Sequence, residues 1–290
     1  MYKIILVTFL WAICYPLITL GIQDSPHLTF ATLRAVLAGL ILLGAAILLK
    51  RPPPKGIKNW LILMAIGFGA TTFGFFGMFH AAEFVSPGIA TVIANTQPLM
   101  AALLAYIFLK EKLGFHTSVG IALGFMGIAV ISFQKIISTT DSYIIGITYI
   151  FLAAIGITIS NVLIRYIAGK VDVLWAVGGQ LILGSIPLAF LAFLTEDPTD
   201  INWSFTFIFS LLGLALFGTA LASLLWFNIL KKIELTKANV FTFLTPIFGL
   251  TMGVLFYQEK LSFPIIIGVL ITLSGIIYMN VQNKRTQLQS

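Results

Sequence analysis

One guanidinium lies where hydrocarbon is expected. Arg34 sits some six residues into an apolar run that starts near residue 28, about 9 Å along a helix axis. It is the only Lys or Arg well inside such a run. A charge near a bilayer centre costs roughly 2.5–3.5 kcal/mol on insertion scales, so the residue is kept against a penalty. At the mouth of a cavity it would hold a carboxylate or phosphate through two parallel N–H donors. The plainer alternative is that it snorkels to outer headgroups or pairs with Asp24 or Glu83. Further polar or aromatic groups in apolar runs are Trp11, Tyr15, Asn95, Gln97, Asn161, Gln180 and Thr245. All are candidates to touch a solute. Thr71 and Thr219 could join them, although hydroxyls in apolar helices commonly bond back to their own carbonyls. His80 and Glu83 are one helical turn apart and could share a proton near neutral pH. If His80 only caps a helix end, the pair has no role in moving protons.

Catalytic chemistry finds no footing. There is no G-x-x-x-x-G-K-[ST] phosphate loop and no H-E-x-x-H, and the three histidines, 27, 80 and 116, are scattered. The single cysteine, Cys14, excludes an intramolecular disulfide. No enzyme, cofactor or metal site is expected. No Asp or Glu lies deep in a run, so a lone positive charge favours a zwitterionic or anionic solute over a lipophilic cation.

The elements that must position these residues are membrane helices. Hydrophobic residues make up 59% of the chain and charged residues 9%, with mean hydropathy +1.04, far from the roughly 25% charge of soluble domains. Ten apolar runs of about 20 residues, each able to cross a core of about 30 Å, fall near 3–22, 28–49, 58–80, 86–109, 113–134, 143–168, 172–194, 203–230, 236–257 and 261–281. Runs this continuous are helices and not barrel strands. The first has a short basic start and reads as an uncleaved helix. With a cytoplasmic N-terminus, that side collects Lys3, Lys50, Arg51, Lys55, Lys58, Lys110, Lys112, Arg165, Lys170, Lys231, Lys232, Lys237, Lys284 and Arg285, against Lys135 and Lys260 opposite. Both termini are thus expected inside, in a cytoplasmic membrane. The net charge of +7 then follows from topology, and no nucleic-acid partner is implied.

The chain also repeats itself. Residues 90–128 laid without gaps on 238–276 keep 11 of 39 identical, including Pro98/Pro246, Glu111-Lys112-Leu113/Glu259-Lys260-Leu261, Phe115/Phe263, Gly120/Gly268 and Gly127/Gly275. Chance would give roughly one in ten, so an internal duplication is indicated. Five runs per copy is odd, so the second copy enters from the opposite face. The fold expected is an all-α integral membrane protein of ten transmembrane helices in two inverted five-helix repeats, 1–134 and 143–281, with a short cytoplasmic tail, 282–290. Pro98 and Pro246 should kink the fourth and ninth helices, either opening a cavity that Asn95 and Gln97 face or merely freeing carbonyls that those side chains satisfy. Ala101 with Ala105, and Gly249 with Gly253, should let those two helices meet; Gly120, Gly127, Gly268 and Gly275 read as packing stripes of the fifth and tenth.

The run AAEFVSPGIATVIANTQPLMAALLAYIFLKEKLGFHTSVGIALGFMGIAVI and its partner LTKANVFTFLTPIFGLTMGVLFYQEKLSFPIIIGVLITLSGIIY resemble the EamA-type module of the drug/metabolite transporter superfamily. The resemblance covers nearly the whole chain. It implies a secondary transporter working by alternating access, most simply an exporter of small polar metabolites such as amino acids, with the lipid bilayer and a small-molecule substrate as its partners. Nucleotide sugars, phosphorylated metabolites or drugs are alternative cargoes, and a non-transporting receptor or assembly protein is the alternative of another class. Members of that family often carry an Arg in helix 2, which implies an architectural share in the role of Arg34. A monomer or a weak homodimer is expected.

Overall fold

The structure is a computed structural model that describes residues 2–95, 97–111, 114–136, 141–258 and 262–289. Thr96, Lys112-Leu113 and the whole Glu259-Lys260-Leu261 turn lie outside the described residues, as do the side chains of Lys135, Lys284 and Arg285 used above for orientation.

Among the described residues the chain is helical, without a strand. The helices are α1 (Tyr2–Gly21), α2 (His27–Leu48), α3 (Ile57–Ala81), α4 (Pro87–Ala94), α5 (Gln97–Leu109), α6 (Phe115–Ile136), α7 (Asp141–Ile167), α8 (Val173–Thr195), α9 (Phe205–Leu230), α10 (Leu235–Tyr257) and α11 (Phe263–Gln289). Seven of the described helices are long and apolar enough to cross a membrane: α1, α2, α3, α8, α9, α10 and the Ile144–Ile167 part of α7. Large apolar side chains face outward: Phe205 is 84% exposed, Leu48 83% and Phe193 79%. Such a surface is at home in hydrocarbon. Residues 282–289 continue α11.

Two helices carry wide π-type turns, at Gly67–Phe73 in α3 and Gly213–Leu221 in α9. Such turns disturb the regular ladder, and the neighbours answer for it. Ser160 Oγ donates to Ile66 O at 3.0 Å, and Thr72 Oγ1 donates to Gly184 O at 2.7 Å. Sequence periodicity does not reveal these turns.

Packing is by close backbone approach. α2 lies on α8, α6 on α11, α3 on α7 and α8, and α1 on α9 and α10. The fourth and ninth runs cross: α4 meets the second half of α10, and α5 meets its first half. Gly249 of α10 is pressed against Thr91 of α4, while Ala101 and Ala105 are buried in α5 and Gly253 in α10. A Cβ on Gly275 would stand 2.8 Å from Gly120 O, and one on Gly127 would strike Thr272 and Gly268 O. The stripes of α6 and α11 thus serve each other within one chain. Gly124 departs from this pattern, since it also receives the ring of Phe243.

Gly67 and Gly184 also cross backbone to backbone: a Cβ on Gly184 would lie 2.6 Å from the Gly67 carbonyl carbon. Backbone there cannot yield as a side chain can, so Gly184→Val should cost at least the roughly 1–3 kcal/mol of ordinary overpacking. Its melting temperature in detergent should fall well below wild type. Gly44→Ala, where nothing lies within 4 Å, should melt unchanged.

Two carboxylates, both missed by sequence patterning, seal helix N-termini contributed by distant parts of the chain. Glu196 accepts from Leu28 N (2.8 Å), Thr29 N (2.7 Å) and Thr29 Oγ1 (2.8 Å) at the start of α2. Glu111 accepts from Leu235 N (2.9 Å), Thr236 N (3.0 Å) and Thr236 Oγ1 (2.8 Å) at the start of α10. The first turn of a helix leaves its N–H groups unpaired and carries the positive end of the dipole, so a carboxylate fits both needs. Local cap motifs look a few residues away. These partners lie more than a hundred residues apart in sequence, which is why no short pattern announces them.

Candidate functional site

The helices line a cavity of about 150 Å³. All eight residues singled out in sequence as possible solute contacts line it: Trp11 and Tyr15 from α1, Arg34 from α2, Asn95 just after α4, Gln97 at the start of α5, Asn161 from α7, Gln180 from α8 and Thr245 from α10. Neighbours at i and i+2 do not share a face of a continuous helix. Asn95 and Gln97 do so here because α4 ends at Ala94 and α5 begins at Gln97. The cause is Pro98, whose missing N–H leaves the carbonyl of Ala94 without its helical partner. Pro246 acts likewise on α10, which is interrupted at Phe243, next to Thr242, four residues before the proline. Residues at both breaks line the cavity: Ala94, Asn95 and Gln97 at the first, Thr242 and Thr245 at the second.

Arg34 is 2% exposed. It neither snorkels nor pairs with Asp24 or Glu83, and the expectation of a mouth position is corrected. Its face of α2 packs on the wide turn of α9. There Nε donates to Thr219 Oγ1 at 2.7 Å and Nη2 reaches Cys14 Sγ at 3.4 Å. The guanidinium lies over Phe75, 4.2 Å from the ring centroid, and within 5.8 Å of Phe79, contacts that favour a cation over an aromatic face. Nη1 has no partner. Asp24 is instead occupied by Asn202 Nδ2 (2.8 Å) and Ser204 Oγ (2.6 Å), tying the turn after α1 to the start of α9.

The pairing of His80 with Glu83 is also corrected. α3 stops at Ala81 and the chain turns, so Glu83 leaves the face that carries His80. Its carboxylate meets His27 Nε2 at 3.1 Å. His80 Nδ1 is 2.9 Å from Phe76 O, a bond within its own helix, and its ring packs on Phe76 and Tyr149. Neither residue lines the cavity. His27, at the first position of α2, carried no signal beyond being a histidine beside a proline.

Several lining groups escaped the sequence reading: Phe75, Met78, Ser223, Trp226 and Phe227. Apolar and aromatic residues on apolar helices look like core until three-dimensional packing sorts them. Trp226 stacks edge-on to Trp11 at 5.0 Å, and its Nε1 donates to Asn161 Oδ1 at 2.9 Å. Thr71 and Thr219 both line the cavity; Thr71 Oγ1 donates to Gln180 Oε1 at 3.3 Å. Ser160, adjacent to Asn161, is spent on the wide turn of α3. Among the described residues no group of three or more His, Cys, Asp or Glu could hold a metal, and no acidic side chain lines the cavity.

Comparison with known proteins gives a consistent result. The model of the EamA-like transporter family matches twice, at residues 1–133 and 144–281. An uncharacterized transporter of Synechocystis sp., sll0355, is 30% identical over 97% of this chain and 89% of its own length. YvbV of Bacillus subtilis, also an uncharacterized transporter, is 28% identical over 95% of this chain and 89% of its own. A transporter of Archaeoglobus fulgidus is 27% identical over 93% and 94%. One crystal structure superposes with a TM-score of 0.78 at 16% identity, covering 98% of this chain and 97% of the other, which shows a shared fold.

Proposed function

Because the chain belongs to the EamA-like transporter family of the drug/metabolite transporter superfamily, and so is a multi-pass membrane transporter and not an enzyme, we propose that it is a secondary carrier that exports small polar metabolites such as amino acids by alternating access. In this reading ten helices form two inverted five-helix units, 1–134 and 143–281, in the cytoplasmic membrane with both termini inside. The units rock about a pseudo-two-fold axis in the membrane plane. The bilayer and a small solute are its partners; nucleic acid is not.

The observation that carries this reading is Arg34, a buried guanidinium with a free nitrogen in a cavity lined from both halves of the chain. Near-symmetric detail supports the inverted arrangement. Arg34 of α2 bonds Thr219 of α9, and Gln180 of α8 bonds Thr71 of α3, so each second helix of a unit grips the third helix of the other. The wide turns of α3 and α9 fall at matching places, and the family model fits each half separately.

The test is uptake of a labelled amino-acid panel into proteoliposomes, with and without an imposed pH gradient. Saturable uptake of a subset is expected. No uptake above empty liposomes for any member would contradict the amino-acid assignment and turn attention to phosphorylated or drug-like solutes. The receptor or scaffold alternative predicts, in addition, that Arg34 variants leave every assay unchanged.

A further inference from the structure

Among the described residues, seven buried side-chain polar atoms have no hydrogen-bond partner, and four of them belong to residues lining this one cavity: Arg34 Nη1, Asn161 Nδ2, Asn95 Oδ1 and Thr245 Oγ1. Buried polar groups are ordinarily satisfied, so a cluster of unsatisfied ones calls for an explanation. Their chemistry is fixed by what the other end of each side chain touches. The indole Nε1 of Trp226 can only donate, so the oxygen of Asn161 must face it, at 2.9 Å, leaving Nδ2 as a donor. The carbonyl of Thr91 can only accept, so Nδ2 of Asn95 must face it, also at 2.9 Å, leaving Oδ1 as an acceptor. Neither amide can flip without losing its anchor.

Building on the transporter reading, we propose that the cavity has two subsites of opposite polarity and that its substrate is a zwitterion: Arg34 Nη1 and Asn161 Nδ2 receive a carboxylate, while Asn95 Oδ1 and Thr245 Oγ1 receive an ammonium group on the same small frame. A simple carboxylic acid would satisfy only the donors. A phosphate monoester brings about two negative charges near neutral pH to a cavity with a single cation and no second basic side chain among its lining residues. A lipophilic cation meets Arg34 with no carboxylate to offset it. The rest of the lining is mostly apolar and aromatic, including Trp11, Phe75 and Met78, so the third substituent is uncharged. An α-amino acid with a neutral side chain meets all of these conditions. Trp226 and the Thr91 carbonyl are positioning groups, since they set which end of each amide faces the solute.

The experiment uses the full chain in detergent or nanodiscs and equilibrium binding. The best binder in a panel of neutral L-amino acids is compared with its carboxamide, which lacks the negative charge, and its deaminated acid, which lacks the ammonium. Wild type should bind each analogue at least tenfold more weakly than the parent. Asn95→Leu should bring the parent down to the level of the deaminated acid while leaving that analogue's affinity unchanged. Asn161→Asp keeps an acceptor for Trp226 and places negative charge toward the carboxylate; it should weaken parent and deaminated acid but spare the carboxamide. Trp226→Phe should repeat that selectivity in milder form with little change in melting temperature. The wild-type analogue series needs no variant, so misfolding cannot mask the answer. Equal binding of parent and carboxamide, equal losses of all three ligands in Asn95→Leu, or absence of binding by every neutral amino acid would each overturn the assignment. Carrier function is read separately by uptake: saturable transport of a solute lacking a carboxylate or an ammonium removes the subsites and leaves the transporter reading standing.

Discussion

Arg34→Gln should abolish most transport while leaving the folded protein intact or slightly more stable. The wild-type guanidinium is desolvated with one nitrogen unpaired, a cost that Thr219, Phe75 and Phe79 offset only in part and that a bound carboxylate, in the proposed binding mode, would offset further. A hydrogen bond to a charged partner contributes about 1.5–3 kcal/mol, so at about 1.4 kcal/mol per tenfold uptake efficiency should drop roughly 10- to 150-fold. Gln keeps a donor and an acceptor for Thr219 and removes the buried charge. The two readouts, uptake and thermal melting, should therefore move independently. Arg34→Lys should also transport poorly, because an ammonium cannot bond Thr219 at Nε and still present a second planar nitrogen to a carboxylate. A variant that loses transport only in proportion to folded protein would mark Arg34 as architectural.

Glu111→Gln should be among the most destabilising polar substitutions in the chain. The carboxylate is buried and accepts three short hydrogen bonds at the N-terminus of α10, with Arg165 Nε 3.7 Å away. Arg165 also donates through Nη1 to the carbonyl of Leu230, in the last turn of α9, at 2.6 Å. The end of α5 is thereby joined to α7, α9 and α10 at a single point. Replacing one oxygen by an amide nitrogen sets donor against donor and removes the charge that complements the helix dipole. Two charge-assisted bonds at about 1.5–3 kcal/mol each put the loss at about 3–6 kcal/mol, visible as a lower melting temperature in detergent. Glu83→Gln, which affects only the half-exposed pair with His27, should cost far less. Melting of Glu111→Gln at the wild-type temperature would show that the carboxylate is not what joins these helices.

Much of the architecture was legible in the sequence because lipid leaves few choices. Apolar runs of about 20 residues had to be helices, and the run ends expected near residues 22, 49 and 194 lie close to the observed ends at Gly21, Leu48 and Thr195. The glycine pairs were readable as contacts because small residues are what permits close approach in hydrocarbon. The candidate site was legible for a related reason. A polar side chain in an apolar run has few places to go, and Asn95, Gln97, Asn161, Gln180 and Thr245 line the same cavity.

What escaped the sequence depends on contacts between distant segments. Helical periodicity placed Arg34 at depth but not its direction, and the nearby acids seemed natural partners. Asp24 and Glu83 had closer ones in Asn202 and His27. The wide turns of α3 and α9 carry no compositional mark beyond glycines that a regular helix in lipid also uses. Glu111 stood out in the sequence only as a position shared by the two copies, which describes its own neighbourhood, whereas its role lies across the bundle at Thr236.

The most direct test of the central claim uses the protein's single cysteine. Cys14 lies in the cavity wall, bonded to Arg34 and shielded from solvent, and no other thiol competes with it. A membrane-impermeant maleimide is applied to oriented vesicles from each side in turn, with and without saturating neutral L-amino acid. If the cavity is the alternating-access substrate site, Cys14 is modified from both faces and the amino acid protects it from either one. Modification from one face only, or labelling that the solute leaves unchanged, would contradict it.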